Sequence, residues 1–284
     1  MHARTRAQTP IEAISLSIRS PSEKLLARER RAFLWRKVHS LTGIVPVGVF
    51  LLFHLWTNAK ALQGQRAFDD AVADINHLPY LEVVEILGIG LPLLVHGVLG
   101  LLIVLEMRPS LGRYPFSGHL MYVLQRVSGV VAFAFIAYHV WQLRIQVALG
   151  TLDKADFFPE LCASLATTVG PGIPLIAVAY LLGVAASAFH FANGLYGFCF
   201  GWGITVTRRA SRMLASVFGL VGVLVFVLGA NTVIFFATGT RLAFSAPTRP
   251  GDASSLSCQD LEPRSDQPTS APAERDSVSD RESE

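Results

Sequence analysis

Charge is what this chain has least of: only 16% of its 284 residues are Asp, Glu, Lys or Arg, while 51% are hydrophobic. Soluble domains carry about 25% charged residues, so this composition excludes an ordinary water-facing surface and makes the bilayer the solvent. Cysteine is scarce too. Cys162, Cys199 and Cys258 lie far apart and form neither CxxC nor CxxCH, which disfavours covalent c-type haem and an iron–sulfur site within the chain. The first thirty residues lack the apolar core of a signal peptide, so no cleaved leader is expected. No long internal repeat is visible, and a transporter built from inverted repeats gains no support.

What is present is a series of long apolar runs. Residues 38–59, 81–106, 121–147, 173–200 and 213–238 are each long enough to cross roughly 30 Å of hydrocarbon at ~1.5 Å per residue. The expected fold is an all-α integral membrane bundle of five transmembrane helices occupying residues 35–240. Residues 1–34 read as a basic leader, whose Ser20–Glu23 stretch either caps a short helix running into the first span or belongs to a disordered arm. Residues 241–284 turn to Pro, Ser, Asp, Glu and Arg, the composition of a disordered acidic tail. The connection at 60–80 ends in His77-Leu78-Pro79-Tyr80 and is expected along the outer interface. The one at 148–172, with Asp153, Lys154, Asp156, Phe157 and Phe158, is expected to hold a short interfacial helix.

Orientation follows from the basic residues near the span ends, where an excess marks the cytoplasmic side. Lys24, Arg28, Arg30, Arg31, Arg36, Lys37, Arg108, Arg113, Arg208, Arg209 and Arg212 fall on the side of the N-terminus; Lys60, Arg66, Arg144, Lys154, Arg241 and Arg249 fall on the other. Eleven against six predicts a cytoplasmic N-terminus and a C-terminus outside. The net charge of +3 then reflects topology, and nucleic acid is not an expected partner.

Four histidines, His54, His96, His139 and His190, each lie inside a different apolar run. An imidazole in hydrocarbon must find a partner, so each marks a candidate functional position. In helices of alternating direction, His54 lies roughly 24 Å and His139 roughly 27 Å from the cytoplasmic starts of the first and third runs. His96 and His190 lie roughly 22 Å and 25 Å from the outer starts of the second and fourth. Depth therefore sorts them into an outer pair, His54 with His139, and an inner pair, His96 with His190. Two imidazoles at one height on facing helices are what a six-coordinate haem iron needs; the alternative for any one of them is a hydrogen bond to a backbone carbonyl or hydroxyl. Gly100, Ala186 and Gly194, four residues from His96 or His190, provide small side chains on the same helix faces. Arg126 is either a cation for a haem propionate or a side chain that snorkels to headgroups. Pro92 is expected to kink the second span. His39 sits at the inner mouth of the first run, facing a propionate, a partner subunit or water; His77 and His119 are placed in loops, and His2 in the leader.

Sequence motifs add a resemblance. Arg36-Lys37-Val38-His39-Ser40-Leu41-Thr42-Gly43 with Phe53-His54-Leu55, Leu91-Pro92-Leu93-Leu94-Val95-His96-Gly97, Leu124-Gln125-Arg126-Val127-Ser128-Gly129 with Tyr138-His139-Val140-Trp141, Phe189-His190-Phe191-Ala192-Asn193-Gly194 and Gly201-Trp202-Gly203 together resemble the five-span, diheme cytochrome b anchor of succinate:quinone oxidoreductases, over about residues 30–240. The resemblance implies two non-covalent, bis-histidine b haems, the proximal on His96 and His190 and the distal on His54 and His139. It also implies an iron–sulfur subunit and a flavoprotein on the cytoplasmic face, a membrane quinone as substrate with menaquinone expected, and a multi-pass location in the cell inner (cytoplasmic) membrane. The chain is then the electron-transfer subunit of succinate dehydrogenase or fumarate reductase and holds no succinate site of its own. Two rivals stand beside it: a haem b subunit of another complex, such as a hydrogenase or formate dehydrogenase, and a membrane protein without haem. Glu82, Glu85, Lys60 and His77 lie at a depth suited to proton handling or to interfacial anchoring, and none is assigned a catalytic role.

Overall fold

A computed structural model describes residues 21–106, 117–242 and Cys258. Among these residues the chain is helical, with no strand beyond an isolated bridge between Val169 and Ile173. Five helices are long and apolar enough to cross a membrane: span I (Ser22–Gln63), span II (Leu81–Leu105), span III (Leu120–Ala148), span IV (Leu175–Gly201) and span V (Arg208–Thr238). Span I is longer than its apolar run, because the helix begins at Pro21 and residues 21–34 continue directly into it. Span V begins at Arg208, where the Thr207 hydroxyl accepts the Ala210 N–H at 3.2 Å and caps the helix. His119 belongs to the first turn of the helix Ser117–Val140 and not to a loop: the helix starts ahead of the apolar run. The first twenty residues with His2, the loop containing Arg108 and Arg113, and the tail beyond Leu242 apart from Cys258 lie outside the described residues.

Prolines shape two of the spans. A proline lacks an N–H, and its ring collides with the carbonyl four residues back. Span I answers with a π-helical turn at Gly43–Gly48 that contains Pro46. Span II has one at Val84–Gly90, and α-helix resumes at Leu91 just before Pro92; the Pro92 irregularity is thus taken up by a wider turn ahead of the proline. Span III carries a third π turn, Trp141–Ile145, which contains no proline.

Span IV packs against both spans III and V. Its apolar window is 39% buried, against 6% or less in spans I, II and III, so it is the central helix. Small residues let span V approach it: a Cβ on Gly222 would stand 2.7 Å from Ala192 Cβ, and one on Gly229 2.7 Å from Val184 Cγ1. Close packing of this kind is a main source of helix association in lipid, where no hydrophobic drive separates helix from tail.

The end at which span I begins is here the near end, and the opposite one the far end. At the near end, Lys37 donates to the carbonyl of Gly201 and lies over the Trp202 ring, while Trp202 Nε1 donates to Ser40 Oγ at 3.1 Å. The turn between spans IV and V is thereby tied to span I. The far end holds the densest core. The helices Gln65–Asn76 and Phe157–Ala166 lie there, and Phe68, Phe158, Phe235 and Phe236 meet edge to face with centroids 5.3–6.4 Å apart. Arg144 on span III donates through Nε and Nη2 to Glu85 Oε2 on span II, at 3.1 and 2.7 Å.

Cys162, in the second far-end helix, is disulfide-bonded to Cys258, 96 residues later. The disulfide attaches the chain at Cys258 to the far-end helix Phe157–Ala166. A bond that closes so long a loop restricts the unfolded chain. Cys162→Ser is expected to lower stability by about 2–4 kcal/mol, read as a lower Tm of the detergent-solubilised protein together with a newly alkylatable Cys258. An unchanged Tm would show that membrane insertion already restrains the same segment.

Candidate functional site

The four span histidines meet in two pairs. His96 and His190 have ring centroids 6.0 Å apart with planes inclined by 79°, and His54 and His139 have centroids 5.7 Å apart at 75°. With imidazole–metal bonds of about 2 Å on either side, rings sharing one ion are held about 6 Å apart. Among the described residues, no group of three or more His, Cys, Asp and Glu side chains converges; the arrangement offers pairs.

Hydrogen bonds fix the near-end rings. His96 Nδ1 lies 2.8 Å from the carbonyl of His39, and His190 Nδ1 lies 2.9 Å from that of Gln125. A carbonyl only accepts, so each Nδ1 carries the proton and each Nε2 keeps its lone pair for a metal. Gln125 completes the clamp on His190: its Nε2 donates to the His190 carbonyl at 3.0 Å, and its Oε1 accepts from Asn193 Nδ2 at 2.8 Å. His39 is placed differently from the sequence expectation of an interface or solvent position. Its ring stacks on His96 at 4.0 Å and 10°, and its Nδ1 donates to the His96 carbonyl at 3.0 Å. The two residues exchange bonds across spans I and II, because the helix Pro21–Thr42 carries His39 alongside span II at the near end.

Glycines make room for these rings, though not all at the positions first singled out. A Cβ on Gly43 would overlap His96, and one on Gly129 would stand 2.7 Å from His190 Cε1. Gly100 instead faces His39, at 3.1 Å, and Gly194 faces Gln125, at 3.5 Å. Gly43 and Gly129 appear in the motifs quoted above, but only the tertiary contact identifies their partners.

Arg126 lies one turn from Tyr122, donating Nη1 to its carbonyl at 2.9 Å with the guanidinium carbon 3.3 Å from the ring centroid. Its Nε is buried without a hydrogen-bond partner. An unsatisfied donor on a cation is costly in such a place, and a carboxylate would satisfy it.

At the far end, His139 Nδ1 lies 3.1 Å from Tyr180 Oη, which donates to Gln142 Oε1 at 2.7 Å; Gln142 Nε2 in turn donates to Ser164 Oγ at 2.8 Å. Gln142 also borders a cavity of about 400 Å³ lined by Tyr138, Trp141, Gln146 and Glu160 among others. Sequence reasoning missed this chain of bonds, since Tyr180, Gln142 and Ser164 sit on three separate elements. The polar groups it did consider are otherwise engaged or open. Glu85 pairs with Arg144, Lys60 lies over the Trp56 ring, His77 closes the helix Gln65–Asn76, and Glu82 is exposed. Asp69, in that far-end helix, has its carboxyl pushed above the usual range by burial.

Comparison with known proteins adds two findings. Residues 105–229 match the family described as the succinate dehydrogenase/fumarate reductase transmembrane subunit. The chain is also similar to the succinate dehydrogenase cytochrome b558 subunit of Bacillus subtilis (strain 168), 35% identical over 206 residues that cover 72% of this chain and 98% of the relative. No solved structure matches the chain.

Proposed function

Because the chain belongs to the succinate dehydrogenase/fumarate reductase transmembrane subunit family, we propose that it anchors the complex and passes electrons through two b haems between the iron–sulfur subunit and membrane quinone. The observation that carries the diheme reading is the pairing of four span histidines into two sets, with centroids 6.0 and 5.7 Å apart. His96 and His190 would hold the near-end haem, His54 and His139 the far-end one, and Arg126 would receive a propionate through its unpartnered Nε. The donor set fits the group: imidazoles whose Nδ1 is the bonded nitrogen at the near end, glycine-lined rings, and a half-buried cation whose buried Nε has no hydrogen-bond partner.

Bound haem supplies one-electron redox chemistry. The chain's own residues orient the imidazoles, set their tautomers and keep the surroundings apolar, the levers by which a protein tunes such a group. Two observations support a cytoplasmic near end that docks the iron–sulfur and flavoprotein subunits. The near side carries the excess of Lys and Arg, and the Cys162–Cys258 disulfide at the far end suits an oxidising compartment. The location is then the cytoplasmic membrane of the cell. Menaquinone is the quinone proposed, reacting near the far end, where the 400 Å³ cavity opens beside Gln142.

The deciding experiment is purification in mild detergent, identification of the subunits that copurify, and a haem count from the reduced-minus-oxidised spectrum. A flavoprotein and an iron–sulfur subunit together with two b haems per chain are expected. Absence of a b-type band, or a single haem per chain, overturns the diheme reading.

A further inference from the structure

His139 differs from its near-end counterparts in the group that holds its Nδ1. His96 and His190 use backbone carbonyls, which no substitution removes. His139 uses the side chain of Tyr180, a residue 5% exposed, and Tyr180 is itself fixed by Gln142 and Ser164. His54 has no comparable bond: Asn58 Nδ2 is 3.4 Å from both of its ring nitrogens and donates instead to the His54 carbonyl at 2.8 Å.

The direction of the chain of bonds follows from its donors. The phenol has one proton, and it is committed to Gln142 Oε1. Toward His139 the phenol oxygen is therefore an acceptor, Nδ1 carries the proton, and Nε2 is left free. We infer that Tyr180 is the positioning residue of the far-end haem, orienting His139 and strengthening it as an electron donor through the Nδ1–H···Oη bond. This rests on the reading that His54 and His139 are ligands.

A hydrogen bond accepted from the second ring nitrogen makes an imidazole more basic toward its metal. A phenol whose own proton is already donated is a better acceptor, because bonds in a chain polarise one another. Greater basicity favours ferric over ferrous iron. Loss of the bond should therefore raise the midpoint potential of the far-end haem and leave the near-end one where it was.

Tyr180→Phe is the test, since it removes the oxygen and keeps the ring against Phe135 and Tyr138, with centroids 5.1 and 6.3 Å away. In the purified complex, potentiometric titration of the b-type absorbance is expected to show two haems, with the far-end component moved upward by a three- to tenfold change in its oxidised-to-reduced preference; tenfold corresponds to 59 mV for one electron. His54→Ala identifies the far-end component by removing it. Gln142→Leu, which retains the phenol and takes away its acceptor, is expected to give a smaller shift of the same sign. Two haems with unchanged potentials in Tyr180→Phe overturn the inference, as does a shift confined to the near-end component. If Tyr180→Phe fails to retain the far-end haem, Gln142→Leu decides: an upward shift supports the inference and an unchanged potential ends it. A wild-type complex without b-type absorbance would instead refute the underlying ligand reading, a separate outcome.

Discussion

His190→Ala or His96→Ala is expected to halve the haem content of the purified complex and to abolish succinate-driven quinone reduction. Bis-histidine ligation needs an imidazole on each side of the porphyrin, and the other near-end ring among those described, His39, stacks flat on His96 while it is His96 that pairs with His190. The far-end pair is held by separate contacts involving Tyr180 and Phe135, so its absorbance should persist. The contrast is what makes the result specific. His54→Ala should show the reverse, keeping the near-end component and losing the other. A pyridine haemochrome count on each variant checks the loss, and an unchanged count in any one would sink that residue's assignment.

The second large effect is expected from a single methyl group. Gly43→Ala and Gly129→Ala place a Cβ against the imidazoles of His96 and His190, where the contacted atoms belong to the ring that must bind. Alanine favours the helix over glycine by about 0.8–1 kcal/mol, so a defect in these variants cannot be charged to helix formation. Overpacking of this kind costs about 1–3 kcal/mol, and here it acts by turning the ligand. Selective loss of the near-end haem signal is expected, with the anchor still inserted. Gly197→Ala and Gly219→Ala serve as controls, because nothing lies within 4 Å of either added Cβ. Equal haem content in all four variants would remove the glycine cradle from the argument.

Much of the architecture could be read from the chain because hydrocarbon imposes one rule on every backbone group: it must be satisfied within its own helix. Run length therefore locates the spans, and a rise of ~1.5 Å per residue converts position into depth. Counting in this way couples His54 to His139 and His96 to His190, and those are the rings that face each other. What depth does not supply is rotation about each helix axis. Spacing alone puts Gly100 on the helix face of His96, whereas in the structure it faces His39. The network from His139 through Tyr180 and Gln142 to Ser164 joins elements up to 41 residues apart, and no local pattern announces it. The Cys162–Cys258 bond escaped for the same reason: a spacing of 96 residues carries no signature of its own.

The π turns at Gly43–Gly48, Val84–Gly90 and Trp141–Ile145 bear on how such a protein changes over time. A π turn is an α-helical turn that has taken in an extra residue, and helical bonding resumes on either side of it. These are the points at which a span can gain or lose one residue without being severed, each such event rotating everything beyond it relative to everything before. In span III that hinge of register begins two residues after His139, at Trp141, and includes Gln142 and Arg144. Relatives that align without gaps on both sides of this point, but differ by one residue within it, would therefore keep the histidine in place while presenting a different set of polar side chains to the cavity.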